Sequence, residues 1–234
     1  MIAYRRPLRD ALVVTSAALL AALPAHAKDK PRPAPPVKPA AEYVLHETHA
    51  QEHVTIAAIP CDVSSACPFF RLPYVSHGFL PVHVVVTNDR DEALALDDVR
   101  IQFIAPDGEP EAAATDEDLN RRLFSRKQAM PTRLPIIPIT IHHEPIDKKI
   151  VNDDTDFGFQ SLTVPPHSTV GGYVFYDTRQ IDDPVMQHAE LYVKEIKYND
   201  AKGVKHELFA FTLPFDQWLK AQPKAADVKK VESF

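Results

Sequence analysis

Glycine is scarce in this chain, with six residues among 234, and none of them builds a glycine-rich phosphate loop, so nucleotide-binding motifs of that type are excluded. No serine lies in a G-x-S-x-G turn, which removes the hydrolase elbow. The only two cysteines, Cys61 and Cys67, are not in C-x-x-C spacing, so the sequence offers no thiol-redox motif. Basic charge is in deficit: 26 Lys and Arg stand against 32 Asp and Glu, a net charge of −6. That balance repels phosphate backbones and anionic lipid, so nucleic acid is not an expected partner. Long apolar runs are missing as well. The stretch at residues 11–23 is too short for the roughly 20 residues that span a bilayer.

What is present begins with Arg5, Arg6 and Arg9, that apolar stretch, then Pro24 and Ala25-His26-Ala27. This is the pattern of a secretory signal peptide over residues 1–27. The expectation is export to the periplasm or beyond the cell, with no membrane insertion after cleavage. The remaining chain would carry a net charge of −8. Arg5-Arg6 is compatible with twin-arginine export, general secretion being the simpler route. In an oxidising compartment, Cys61 and Cys67 read as a disulfide. So small a loop would add about 2 kcal/mol in the chain-entropy account, enough to pin a turn.

Residues 28–41, "KDKPRPAPPVKPAA", carry five prolines and no aromatic residue, the composition of a semi-rigid linker. Composition then divides the rest into a domain at 42–222 and a charged flexible tail at 223–234. Within the domain the dominant period is two. Val82, Val84 and Val86 share one strand face, with His83 and Thr87 opposite; Val99, Ile101 and Phe103 share the face of a strand expected to neighbour the first. His83 should face outward or meet a polar contact. "SLTVPPHSTVGGYVFYDT" reads as strand, turn and strand, with Gly171-Gly172 marking a bulge or a close backbone approach. "AELYVKEIKY" and "VKHELFAFTLP" form a hairpin through residues 199–203. Thr115 can cap a helix over "DEDLNRRLFSRK", with Asp118 completing a capping box and Leu119, Leu123 and Phe124 as its apolar stripe. Residues 215–220 close the domain, and residues 130–149, with four prolines, are expected as an extended crossover.

Short strands without a βαβ rhythm predict a mainly β protein, an antiparallel β-sandwich with one inserted helix and a short C-terminal helix. "HGFLPVHVVVTNDRDEALALDDVRIQF", "TVPPHSTVGGYVFYD" and the final hairpin resemble uncharacterised exported bacterial proteins with immunoglobulin-like sandwich domains. The resemblance covers roughly residues 43–220 and implies a fold, not an activity. It departs from antibody domains in its cysteines, which are too close together to bridge two sheets, and in Trp218, which follows both.

Several polar clusters invite chemistry. "HETHAQEH" places His46, His49 and His53 on one face if helical, a possible zinc or copper set. An extended strand would send His46 and His49 to opposite faces, and solvated histidines are the expectation. "IHHEPIDKK" offers His142, His143, Glu144 and Asp147 in what reads as a surface loop. "NDDTDFGF" gathers Asp153, Asp154 and Asp156 but lacks the glycine and glutamate positions of a calcium loop. "LPIIPITI" sets Ile136, Ile137, Ile139 and Ile141 either over a sheet edge or in an exposed patch for a partner, such as another envelope protein. No cofactor is expected, a divalent metal being the alternative. The functional expectation is a non-enzymatic binding or assembly module of the periplasm or cell envelope, with a metal-binding protein as the second reading.

Overall fold

The computed structural model describes residues 31–123, 132–133, 140–141 and 145–222, the two short central pieces by backbone alone. The expected signal peptide, the tail at 223–234, Phe124, Ile136, Ile137, Ile139, His142, His143 and Glu144 lie outside the described residues. After a 3-10 turn (Ala40–Glu42), the chain forms β1 (His46–His49) and β2 (Val54–Pro60), a second 3-10 turn (Val75–His77), β3 (Phe79–Asn88), β4 (Leu94–Ala95), β5 (Arg100–Ile104) and β6 (Pro110–Glu111). Helix α1 (Asp116–Leu123), β7 (Thr132–Arg133), β8 (Thr140–Ile141) and helix α2 (Ile146–Phe157) follow. Then come β9 (Thr163–Val164), β10 (Ser168–Asp177), β11 (Glu190–Lys194), β12 (Lys197–Asn199), β13 (Lys205–Glu207), β14 (Phe211–Pro214) and helix α3 (Phe215–Ala221).

The protein is mainly β, with three four-stranded antiparallel sheets ordered β1-β2-β3-β10, β14-β11-β5-β6 and β13-β12-β4-β9. β7 and β8 form a separate pair in which Ile141 lies opposite Thr132. The first two sheets face each other in a sandwich-like manner. Val82, Val84 and Val86 meet Phe103, Leu191, Val193, Phe211 and Leu213 in the main core. The period-two reading therefore selects the right face of β3. It pairs the wrong neighbours, because β3 bonds to β2 and β10 while β5 bonds to β11 and β6.

The other face of the first sheet is covered too. Phe79, Tyr173 and Phe175 lie beneath Leu119 and Leu123 of α1, Ile146, Ile150 and Phe157 of α2, and the Cys61–Cys67 disulfide. All ten residues of β3 are consequently buried. His83 does not reach solvent: only 6% of its surface is exposed, and it stacks on Tyr173 at 4.6 Å between ring centroids.

Helix α1 carries the expected capping box, Asp118 N donating to Thr115 Oγ1 at 3.3 Å and Thr115 N to Asp118 Oδ2 at 3.1 Å. Helix α2 overturns two expectations, since it takes over the end of the proposed crossover and the aspartate-rich stretch. Pro145 sits at its N-cap, where a proline sacrifices no helical hydrogen bond. Ile146, Ile150, Asp153 and Phe157 then share its buried face. Asp153 and Asp156 pair with Arg71 at 2.9 and 2.6 Å, and Tyr74 donates to Asp153 at 3.0 Å. At Gly172 a Cβ would stand 2.4 Å from the Phe159 Cα. The glycine thus permits the close backbone approach that its sequence context predicts.

The final hairpin is present, with one complication. Its arms keep a single register from Glu190↔Pro214 through Lys197↔Glu207, yet β11 and β14 belong to the second sheet and β12 and β13 to the third. Glu195, at a φ of 65°, marks the break, and Leu208 N still donates to Ile196 O across it at 2.9 Å.

Candidate binding cleft

The end of the first sheet where β3 begins and β10 finishes carries a cleft of about 580 Å3. Its construction starts at Tyr74, whose carbonyl accepts from His77 N and Phe79 N at 3.0 and 3.1 Å. Between those bonds the backbone must reverse. Gly78 does so at a φ of +81°, a conformation open to glycine at little cost.

Thr178, at the end of β10, ties the two strands together. Its N–H and hydroxyl both donate to the Gly78 carbonyl, at 2.9 and 3.1 Å. Arg179 lies across the glycine so closely that a Cβ there would meet the arginine Cγ at 2.1 Å. The guanidinium is spoken for: Nε and Nη2 donate to the two Asp177 oxygens at 2.8 and 2.6 Å. Such a fork-to-carboxylate contact is specific in geometry as well as charge. The bonds to Arg179 hold the Asp177 carboxyl below the usual carboxylate range. Arg122 adds a more distant contact to the same carboxylate at 3.7 Å.

Phe79, Leu80, Ile181, Val185 and Met186 supply apolar walls, and Asp62 and Asp183 join Arg179 as charged lining groups. Neither of these aspartates hydrogen-bonds or ion-pairs with another described residue. Thr178 is the lining hydroxyl, and its proton points to the Gly78 carbonyl. Apolar walls with a few fixed polar groups, in a volume of this size, suit retention of a small ligand.

The residues singled out as metal candidates are arranged otherwise. β1 is extended, so His46 and His49 fall on opposite faces. His46 Nδ1 lies 2.7 Å from the Tyr43 carbonyl, and His53 occupies a left-handed turn position at a φ of 52°. His49 stacks on Phe211 at 3.8 Å, with Glu52 2.8 Å from Nδ1 and Glu47 3.2 Å from Nε2. Among the described residues, no group of three His, Cys, Asp or Glu side chains is placed to hold a metal ion. Ser76 and His77 both turn back onto the Pro73 carbonyl, at 2.9 and 3.0 Å.

The cleft was not legible beforehand. Its acids come from a loop inside the disulfide and from a turn more than a hundred residues later, and Thr178 reaches Gly78 across 100 positions. Only the short "DTR" spacing of Asp177 and Arg179 was local enough to read. Comparison with protein-family models, with curated proteins and with solved structures gives no match for this chain.

Proposed function

We propose that this protein is an exported, non-enzymatic binding module of the periplasm or cell envelope, built on an immunoglobulin-like sandwich, and that it binds through the cleft at the Gly78–Arg179 end. The observation that carries the reading is the cleft itself: apolar walls, three charged groups, and a frame fixed by Thr178, Arg179 and Asp177. The Cys61–Cys67 bridge supports an oxidising compartment. Among the described residues, no helix is long and apolar enough to cross a membrane. Assembly with another envelope protein is the natural extension, the cleft then receiving part of that partner.

Two measurements test the proposal. Protein recovered from the envelope fraction of expressing cells should begin at Lys28. An uncleaved chain in the cytoplasm would defeat the localisation. For binding, the small-molecule fraction of an envelope extract is dialysed against the protein, and retained compounds are identified by mass spectrometry. Val185→Trp, which fills the cleft from a partly exposed wall position, should abolish retention with little change in melting. Equal retention by both proteins would place binding elsewhere.

A further inference from the structure

We propose that the cleft selects an organic cation, an ammonium or guanidinium group carried on an apolar body. This rests on the cleft being the binding site, and it specifies the ligand's chemistry.

Charge accounting comes first. Arg179 is the basic group of the lining, and it is already held by both oxygens of Asp177. To turn towards an anion it would have to break that fork and leave its seat over Gly78. Asp62 and Asp183 have no such partner among the described residues. With the Arg179–Asp177 pair self-neutralised, the cleft presents two uncompensated carboxylates.

The two acids are also held in place by separate supports. Asp62 directly follows Cys61, which is bridged to Cys67 and donates its backbone N–H to the Pro81 carbonyl at 2.8 Å. Asp183 precedes a turn in which Gln187 N donates to the Pro184 carbonyl at 3.0 Å. They share the cleft lining with apolar residues of β3 and of the loop after β10, including Leu80, Val185 and Met186. A concave, low-dielectric wall focuses the field of the carboxylates into the space a ligand would occupy.

The three ligand charges then separate physically. An anion meets repulsion from both aspartates. A neutral apolar ligand gains wall contact but strips water from carboxylates that receive no partner. A cation gains the same wall contact and supplies the missing counter-charge, so it is preferred.

The test uses the disulfide-intact mature protein at low ionic strength, with hexylammonium, hexanol and hexanoate as probes of equal chain length, followed by NMR shifts of the Gly78 and Thr178 amides. Hexylammonium should bind about tenfold tighter than hexanol, with hexanoate weakest. Joint Asp62→Asn and Asp183→Asn substitution should erase the preference, weakening hexylammonium and strengthening hexanol and hexanoate until the three bind alike; both positions are exposed, so the fold is retained. A fourth probe, acetyl-Leu-Lys-Leu-amide, tells the source of the cation. Binding tighter than hexylammonium assigns it to a peptide side chain, and weaker binding to a free amine. Hexanoate matching hexylammonium, or a cation preference surviving in the double variant, would overturn the cation inference and leave the cleft standing as a binding site. No shift at Gly78 or Thr178 with any probe would overturn both.

Discussion

His83 shows how one side chain can carry a pH dependence for the whole fold. It lies on the covered face of β3, stacked on Tyr173, edge-on to Tyr43 at 6.4 Å, and so close to Gly171 that a Cβ there would come within 3.0 Å of its Nε2. Burial lowers its pKa from 6.5 to about 4. A histidine depressed in the folded state binds its proton more readily when unfolded. The unfolded chain therefore gains protons first as pH falls from about 6.5, and stability is lost until the folded-state value near 4 is passed. The shift corresponds to about 3 kcal/mol. His83→Phe should remove this term, so the stability difference between variant and wild type, from urea unfolding at pH 7 and pH 4, should move by about that amount in favour of the variant. A difference that does not change with pH would show that His83 is not responsible. Alternation correctly separates His83 from Val84. It cannot reveal that the second face is also covered, because that cover comes from Tyr43, Tyr173 and two helices far away in sequence.

At the scale of elements, the edges of the two facing sheets are joined by carboxylates instead of a strand ladder. β1 and β14 are outer strands. Glu47 accepts from Thr212 N, Glu52 accepts from Phe209 N at 3.0 Å, and the remaining oxygens flank His49. Occupying the backbone donors at and beside β14 in this way blunts an edge that could otherwise recruit another chain. Joint Glu47→Ala and Glu52→Ala substitution leaves the part-buried Thr212 amide without its acceptor and returns the exposed Phe209 amide to water, and should cost about 1 to 3 kcal/mol. Hydrogen exchange checks the location: the Thr212 and Phe209 amides should exchange faster while amides of the central strand β11 stay protected. Uniform acceleration would indicate general loosening instead. Local elements such as the capped helix α1 and the last hairpin are legible because their signals lie within a few residues of their partners. Sheet membership is not local. The β3–β10 ladder joins positions from 80 residues apart at Ser168↔Asn88 to 98 apart at Asp177↔Phe79, and the pattern of α2 is obscured because its buried face includes Asp153, satisfied by Arg71 and Tyr74.

For the molecule as a whole, the proline-rich segment is the part whose role composition describes least well. Its prolines and lack of aromatic side chains suggest a spacer, yet Arg32 onward belongs to the same compact unit as the sheets. Arg32 N donates to Asp156 at 3.0 Å, its guanidinium donates to the Phe69 carbonyl at 2.7 Å, and Ala40 N donates to Thr87 Oγ1 at 2.8 Å. Ala40 is fully buried with Ala57 and Val85, against Tyr43 and Ile59. Backbone donors and one alanine make most of these contacts, and no hydropathy pattern records them. The segment thus acts as a strap over the outer face of the first sheet. A chain starting at residue 42 should therefore lose about 2 to 4 kcal/mol relative to one starting at residue 28, through exposed apolar surface and the loss of the bonds that Thr87 and Asp156 accept from the strap, which leaves them with Thr169 and Arg71 alone. Arg32→Ala in the longer chain should cost about 1 kcal/mol. Urea unfolding of the three proteins measures both steps, and a strap that is only a spacer would leave all three midpoints equal. Exchange of the Val85 amide gives a second readout, because it lies under Ala40: faster exchange after truncation, with the Tyr192 amide in the second sheet unaffected, assigns the loss to the uncovered face.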